Sequence, residues 1–112
     1  MSATERRRAH RFELQLPLIV RWTHDSVVCE VVTVSKDVGS RGIYFFLPEG
    51  IKVGSSTEIV LTLPHAITLA GNLRVRCFGR IQRCEPRGQG SNAGMALSIE
   101  KYEFLRSSED AA

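Results

Sequence analysis

The sequence predicts an all-β protein, a small six-stranded antiparallel β-barrel, and the main observation behind this prediction is the alternation of apolar and polar residues. Apolar and polar residues alternate with a period of two along most of the chain, as in strands that bury one face. Turn-forming residues separate these segments at short intervals, and helical periodicity is almost absent. A barrel is favoured because closure leaves no unpaired strand edge in a lone domain.

The chain has 112 residues, of which 43% are hydrophobic, so it can bury one core and is too short for two domains. The barrel domain is expected to cover residues 12–106. A flexible basic N-terminal arm is expected at residues 1–11, and a disordered tail at residues 107–112.

The elements of the barrel are predicted in order from the alternation. The predicted strands cover residues 12–22, 27–35, 43–47, 57–63, 69–85 and 93–99. In the first strand Pro17 lacks an N–H, which indicates an edge or a bulge there. A loop is expected at residues 36–42, because its composition is that of a turn. In the fifth strand Leu69 is expected to face inward, and Gly79 marks a bend or bulge. Residues 100–107 are predicted to form a short C-terminal helix.

The positive charge of the chain is confined to the predicted arm. The net charge is +3, and Arg6, Arg7, Arg8 and Arg11 against Glu5 account for all of it. A neutral body with a cationic arm favours a local anion site over a surface that binds a polyanion. Nucleic-acid binding is therefore not expected, and the arginines of the fifth strand are interpreted as a solvated strand face. These arginines are Arg74, Arg76 and Arg80.

The sequence carries no motif that predicts an enzyme, and no catalytic residue, metal ligand set or cofactor is expected. The three histidines are scattered, and none has metal-ligand spacing with another histidine, cysteine or acidic cluster. The three cysteines form no CxxC pair, which fits a reduced, cytoplasmic protein, and each is interpreted as a small buried hydrophobe. No apolar run is long enough to predict membrane insertion, and no secretory signal is recognised.

Two segments carry chemistry that suits an anionic nucleotide. Four arginines lie between Arg6 and Arg11, and a guanidinium binds phosphate bidentately and stacks on aromatic faces. The segment from Asp37 to Gly42 combines a carboxylate, which accepts donors from a base edge, with backbone amides that suit phosphate. Gly42 would supply a positive φ or a close backbone approach. Taken alone, the arginine segment is also compatible with a solvated basic arm. The segment from Asp37 to Gly42 is also compatible with an ordinary turn between strands.

Together the two segments resemble the signature of the PilZ family. The chain reads Glu-Arg-Arg-Arg-Ala-His-Arg-Phe at residues 5–12 and Asp-Val-Gly-Ser-Arg-Gly-Ile-Tyr-Phe at residues 37–45, and the resemblance extends over residues 6–104. It implies a six-stranded antiparallel barrel that acts as a receptor for cyclic di-GMP. By this resemblance Arg7 and Arg11 grip phosphates and contact guanine, Asp37 reads a guanine edge, and Gly42 holds the turn. The remaining expected ligand-binding residues are Arg6, Gly39, Ser40 and Arg41.

One position departs from the family pattern. The motif serine is Gly39 in this chain, and Ser40 is displaced by one residue. Loss of one hydrogen bond costs about 0.5–1.5 kcal/mol, so binding is expected to be weakened and not abolished. On this interpretation the arm closes over the nucleotide and alters binding of an unknown effector protein. The alternative is a PilZ-like adaptor that has lost nucleotide binding and works through protein contacts.

Overall fold

Six β-strands close into an antiparallel barrel in the computed structural model, which describes residues 11–86 and 92–105. The described residues form seven strands, of which the last six make the barrel: β1 (Arg11–Phe12), β2 (Pro17–His24), β3 (Val27–Gly39), β4 (Gly42–Leu47), β5 (Ser56–Leu63), β6 (Leu73–Glu85) and β7 (Ala93–Leu105). Neighbours around the barrel follow the order β3, β2, β5, β6, β7, β4, and β4 pairs with β3 to close the wall. The two-residue strand β1 adds to β3. The predicted fold class is confirmed.

The barrel interior is filled by the apolar residues of the inward parity. Leu16, Leu18 and Val20 are buried, as the alternation in the first predicted strand requires. Phe45 of β4 and Met95 of β7 are fully buried in the same cluster. The core therefore takes side chains from all sides of the closed wall, which fixes the register of each strand.

Ser35 holds the chain where it passes from β1 to β2. The stretch between these strands is not itself a strand, although Leu14 packs against the core and Leu16 is part of it. The Ser35 hydroxyl accepts a hydrogen bond from the Leu16 N–H at 2.9 Å and donates one to the Leu14 carbonyl. The Ser35 N–H donates to the Leu16 carbonyl at 3.0 Å. A side chain thus replaces part of the ladder just before Pro17, which cannot donate.

Two local features shape the strands of the sheet. Asp25 and Ser26 both have positive φ, at 50° and 66°, and join β2 to β3 in a two-residue hairpin turn. The register of β6 against β7 shifts between Phe78 and Gly79, so the predicted bulge is confirmed. A Cβ on Gly79 would lie 1.9 Å from the carbonyl oxygen of Ser98, which excludes any larger residue without movement of the backbone.

Two predicted details outside the second motif are wrong. Residues 100–105 are not helical but continue β7, because they pair with β6 and the ladder determines their conformation. Leu69 does not face inward in a strand: it has a φ of 61°, ends the four-residue helix α1 (His65–Thr68) and is 82% exposed. The predicted strand at residues 69–85 therefore begins only at Leu73, after this helical turn.

The helical residues in the described ranges form no segment that is long and apolar enough to cross a lipid bilayer. Residues 1–10, nearly all of the predicted arm, and the predicted tail at residues 107–112 lie outside the described residues. The predicted domain boundaries therefore stay predictions.

Candidate functional site

The pairing of β1 with β3 joins the two sequence motifs. Arg11 is the Cα partner of Gly39, and Phe12 is the partner of Val38. The last arginine of the first motif is therefore held by the backbone against the second motif, although 27 positions of sequence separate Arg11 from Val38. Arg6 and Arg7 lie outside the described residues.

The second motif is mostly strand, which corrects the predicted loop at residues 36–42. Residues 36–39 belong to β3, and only Ser40 and Arg41 form the turn before β4. This part of β3 pairs with β1 on one edge and with β4 on the other. Two ladders satisfy the backbone of the segment, so its turn-like composition does not decide its conformation.

A bulge in β3 turns Asp37 away from the core. Ser35 lies opposite Phe45 and Asp37 lies opposite Tyr44, so β3 has one residue more than β4 across this step. Regular alternation would place Asp37 on the same side as the buried Ser35. With the extra residue, Asp37 shares the outer face with Tyr44 and is half-buried. The carboxylate thus lies on the outer face of the wall beside Tyr44, with its Oδ1 atom buried.

Gly42 is needed for a close approach between strands. A Cβ on Gly42 would lie 2.9 Å from the carbonyl oxygen of Leu97 in β7. The turn before it is fixed to the same strand, because the Ile99 N–H donates to the Arg41 carbonyl at 2.9 Å. Gly54 is the glycine with positive φ in the described ranges, so Gly42 serves the close approach and not a left-handed turn.

The departure from the family motif lies within the strand. Gly39 is on the parity of Asp37 beyond the bulge, two residues further along β3, whereas Ser40 and Arg41 are exposed at the turn. Ser40 lies in the turn after β3, one residue beyond the position of the family serine. Its hydroxyl therefore does not take the place of a serine side chain at position 39. The structure therefore brings together Arg11, Asp37 and Gly39 and sets Ser40 and Arg41 beside them.

The sequence analysis missed an aromatic surface beside Asp37. The Tyr44 hydroxyl donates to a carboxylate oxygen of Glu85 at 2.5 Å, and the ring packs edge-to-face with Phe46 at a centroid distance of 5.6 Å. Gly94 leaves room for this ring, because a Cβ there would lie 2.0 Å from the Tyr44 hydroxyl. The signal in the sequence was the outward parity of two aromatics in β4, on the face that a ligand next to Asp37 would share.

Arginines elsewhere on the wall are engaged by carboxylates. A continuous line of ion pairs crosses five strands; this charged stripe consists of Glu30, Arg21, Glu58, Arg76 and Glu103. Its four contacts measure 3.1, 3.4, 3.2 and 2.8 Å in that order. Arg80 lies 3.2 Å from Glu100. Guanidiniums paired in this way are not arranged to follow a nucleic-acid backbone, so the interpretation as a solvated strand face is favoured.

The cysteines and the possible metal ligands can be described for residues 11–86 and 92–105. Burial raises the pKa of Cys77 to about 11, which keeps it a thiol and a poor nucleophile. Cys29 and Cys84 are half-buried and are not part of a disulfide. Residues 11–86 and 92–105 hold no group of three or more potential ligands that could bind a metal ion.

Comparisons with known proteins agree with this architecture. The structure titled inhibitor of motility (MotI/DgrA) from Bacillus subtilis superposes with a TM-score of 0.69 at 18% sequence identity. The match covers 95% of this chain and 47% of that one, so the present chain spans about half of the length of its neighbour. At this identity the likeness concerns the fold alone. A search of the curated proteins found no match.

The family comparison covers almost the whole chain. The model of the PilZ domain matches residues 5–108, a range that includes both motifs and every strand of the barrel. With the motif residues held together by β1 and β3, the chain belongs to the PilZ domain family.

Proposed function

We propose that the protein is a receptor for cyclic di-GMP that signals to an effector protein and has no catalytic role. The observation that carries the proposal is the register of β1 on β3, with Arg11 opposite Gly39 and Asp37 two residues away. Membership in the PilZ family supports the same class of function. The neighbour titled an inhibitor of motility shares the fold of this chain, and the proposed role in second-messenger signalling comes from the family and the site residues.

The chemistry of the ligand matches the residues of the site. Cyclic di-GMP carries two phosphates and two guanines. Arg6, Arg7 and Arg11 supply forked donors for phosphate and flat cations for guanine stacking. The Asp37 carboxylate accepts the N–H donors of a guanine edge, and Tyr44 adds an aromatic surface on the same face. Ser40 and the backbone beside Gly39, Arg41 and Gly42 complete the proposed site.

The proposed signal is closure of the basic arm over the bound nucleotide. Ligand phosphates neutralise arginines that otherwise repel one another, which favours their approach to the barrel wall. Hydrogen exchange at residues 5–12 is then expected to slow on saturation with ligand. Unchanged exchange with full ligand occupancy would contradict closure and leave the receptor role standing.

Calorimetric titration with cyclic di-GMP tests the receptor role. The wild type is expected to bind saturably, and an Arg7→Ala/Arg11→Ala double variant to lose at least tenfold in affinity, since each charge-assisted contact contributes about 1.5–3 kcal/mol. Arg21→Ala is the matched control, because Arg21 lies opposite Glu30, seven residues along β3 from Asp37. Equal losses in the double variant and the control would contradict the assignment.

The second candidate is an adaptor that binds a protein and no nucleotide. Gly39 in place of the motif serine favours it, because one hydrogen bond of the family site is missing. No heat of binding at high micromolar cyclic di-GMP, with the protein folded, would favour the adaptor. The stoichiometry of a positive titration would distinguish one bound ligand from a stacked pair.

A further inference from the structure

The second half of β7 has one edge that no described strand covers. Residues 93–98 pair with β4, and the Ile99 N–H donates to the Arg41 carbonyl at 2.9 Å. From Glu100 to Leu105, β7 pairs within the described ranges with β6 alone. A strand edge of this kind presents backbone donors and acceptors that can pair with another chain.

Two aromatic residues lie on the inner side of this uncovered segment. Tyr102 and Phe104 lie opposite Cys77 and Val75, which are buried in the interior. Directly opposite residues share a face of the sheet, so both rings are on the core-facing side. They are nevertheless 51% and 59% exposed and pack edge-to-face at a centroid distance of 5.9 Å. Exposed rings beside an open strand edge are typical of an interaction surface.

The charges on the outer side of the segment are self-complementary. Lys101 lies over the Phe78 ring at 5.0 Å, and Glu103 bonds to Arg76, so both point outward. In an antiparallel pair of two β7 edges centred on Tyr102, residues 101 and 103 of one copy lie opposite 103 and 101 of the other. Each Lys101 then faces a Glu103, and the pattern satisfies the two-fold symmetry of a dimer.

We propose that two copies of this chain dimerise by antiparallel pairing of the β7 edges at residues 100–105. The occupant is a second copy because the charge pattern matches itself in this register. The pairing continues the sheet from one barrel to the other and places the aromatic pairs of both copies on one face. It uses none of the residues assigned to the nucleotide, so it is independent of the proposed function.

Sedimentation velocity of the full chain over a wide range of concentration tests the dimer. A monomer–dimer equilibrium is expected in the wild type. Lys101→Glu and Glu103→Lys each place two like-charged pairs at the interface and are expected to weaken dimerisation at least tenfold. Lys52→Glu, an exposed charge change in the loop between β4 and β5, is the control and leaves the equilibrium unchanged.

Mixing the two charge variants gives the decisive result. The Lys101→Glu variant is acidic at both positions 101 and 103, and the Glu103→Lys variant is basic at both. In a mixture of the two variants, opposite charges therefore face each other only in the heterodimer. Native mass spectrometry with one variant labelled with ¹⁵N is expected to detect that heterodimer above either homodimer. A wild type that stays monomeric, or a mixture without preferential heterodimer, would overturn the proposal. Thermal unfolding of each variant verifies that the barrel is folded.

Discussion

Removal of one hydroxyl, in the Ser35→Ala variant, is expected to destabilise the barrel more than any exposed substitution. Ser35 is 1% exposed, and its hydroxyl joins the Leu16 N–H and the Leu14 carbonyl across the passage from β1 to β2. Alanine retains the backbone bond from the Ser35 N–H to Leu16 and removes both side-chain bonds. The Leu16 N–H is then a buried donor without this acceptor.

The magnitude follows from the buried position. A buried polar group that loses its partner costs about 1–3 kcal/mol, and the bond to Leu14 adds about 0.5–1.5 kcal/mol. We expect the free energy of unfolding to fall by about 2–3 kcal/mol. For a domain of this size each kcal/mol corresponds to about 4–8 °C in Tm, so Tm falls by about 10–20 °C.

Equilibrium unfolding in urea, followed by the fluorescence of Trp22, measures the change. Ser56→Ala removes an exposed serine in β5 and is the matched control, with an expected change within about 0.5 kcal/mol. If Ser35→Ala is as stable as this control, the hydroxyl does not hold the passage and the reasoning fails.

Three further predictions concern the motif, a buried thiol and a glycine. Gly39→Ser restores a hydroxyl on the parity of Asp37 and is expected to tighten cyclic di-GMP binding about two- to tenfold by calorimetry; unchanged or weaker binding would contradict this. Burial raises the pKa of Cys77 from 9.0 to about 11, so above pH 9 the unfolded chain releases this proton before the folded one. The free energy of unfolding therefore falls by about 1.4 kcal/mol per pH unit between these two pKa values. Urea unfolding of the Cys77→Ala variant is expected to lack this fall. If the free energy of unfolding of wild type and variant changes with pH in the same way, the prediction is refuted. Gly79→Ala forces a Cβ against the β7 backbone and is expected to lower stability by about 1–3 kcal/mol. Gly71→Ala, where a Cβ meets open space, is its control, and equal thermal stability of the two variants would contradict the clash.

The fold was predictable because alternation reports burial directly. Leu16, Leu18 and Val20 are buried where their parity places them, and the Asp25–Ser26 hairpin follows from local turn chemistry. The helix predicted at residues 100–107 is wrong over residues 100–105, because a short segment takes the conformation that pairing with its neighbour imposes. There, pairing with β6 outweighs any helical preference.

The composition of the candidate site was predictable, but its geometry was not. Arg11 and Asp37 stand out by residue type, whereas the bulge that turns Asp37 outward depends on the register of β3 against β4. No local pattern encodes that register. Tyr44 was missed for the same reason, because its place beside Asp37 exists only once the two strands are paired.

The charged stripe has a consequence for how an anion approaches the protein. Its carboxylates and guanidiniums alternate across the wall, so their fields cancel within a few ångströms of the surface. Residues 12–112 carry equal numbers of basic and acidic side chains, which leaves the arginines at positions 6–11 as the source of long-range attraction. A diffusing dianion is thus steered toward one end of the chain, and added salt slows this encounter without disturbing the wall.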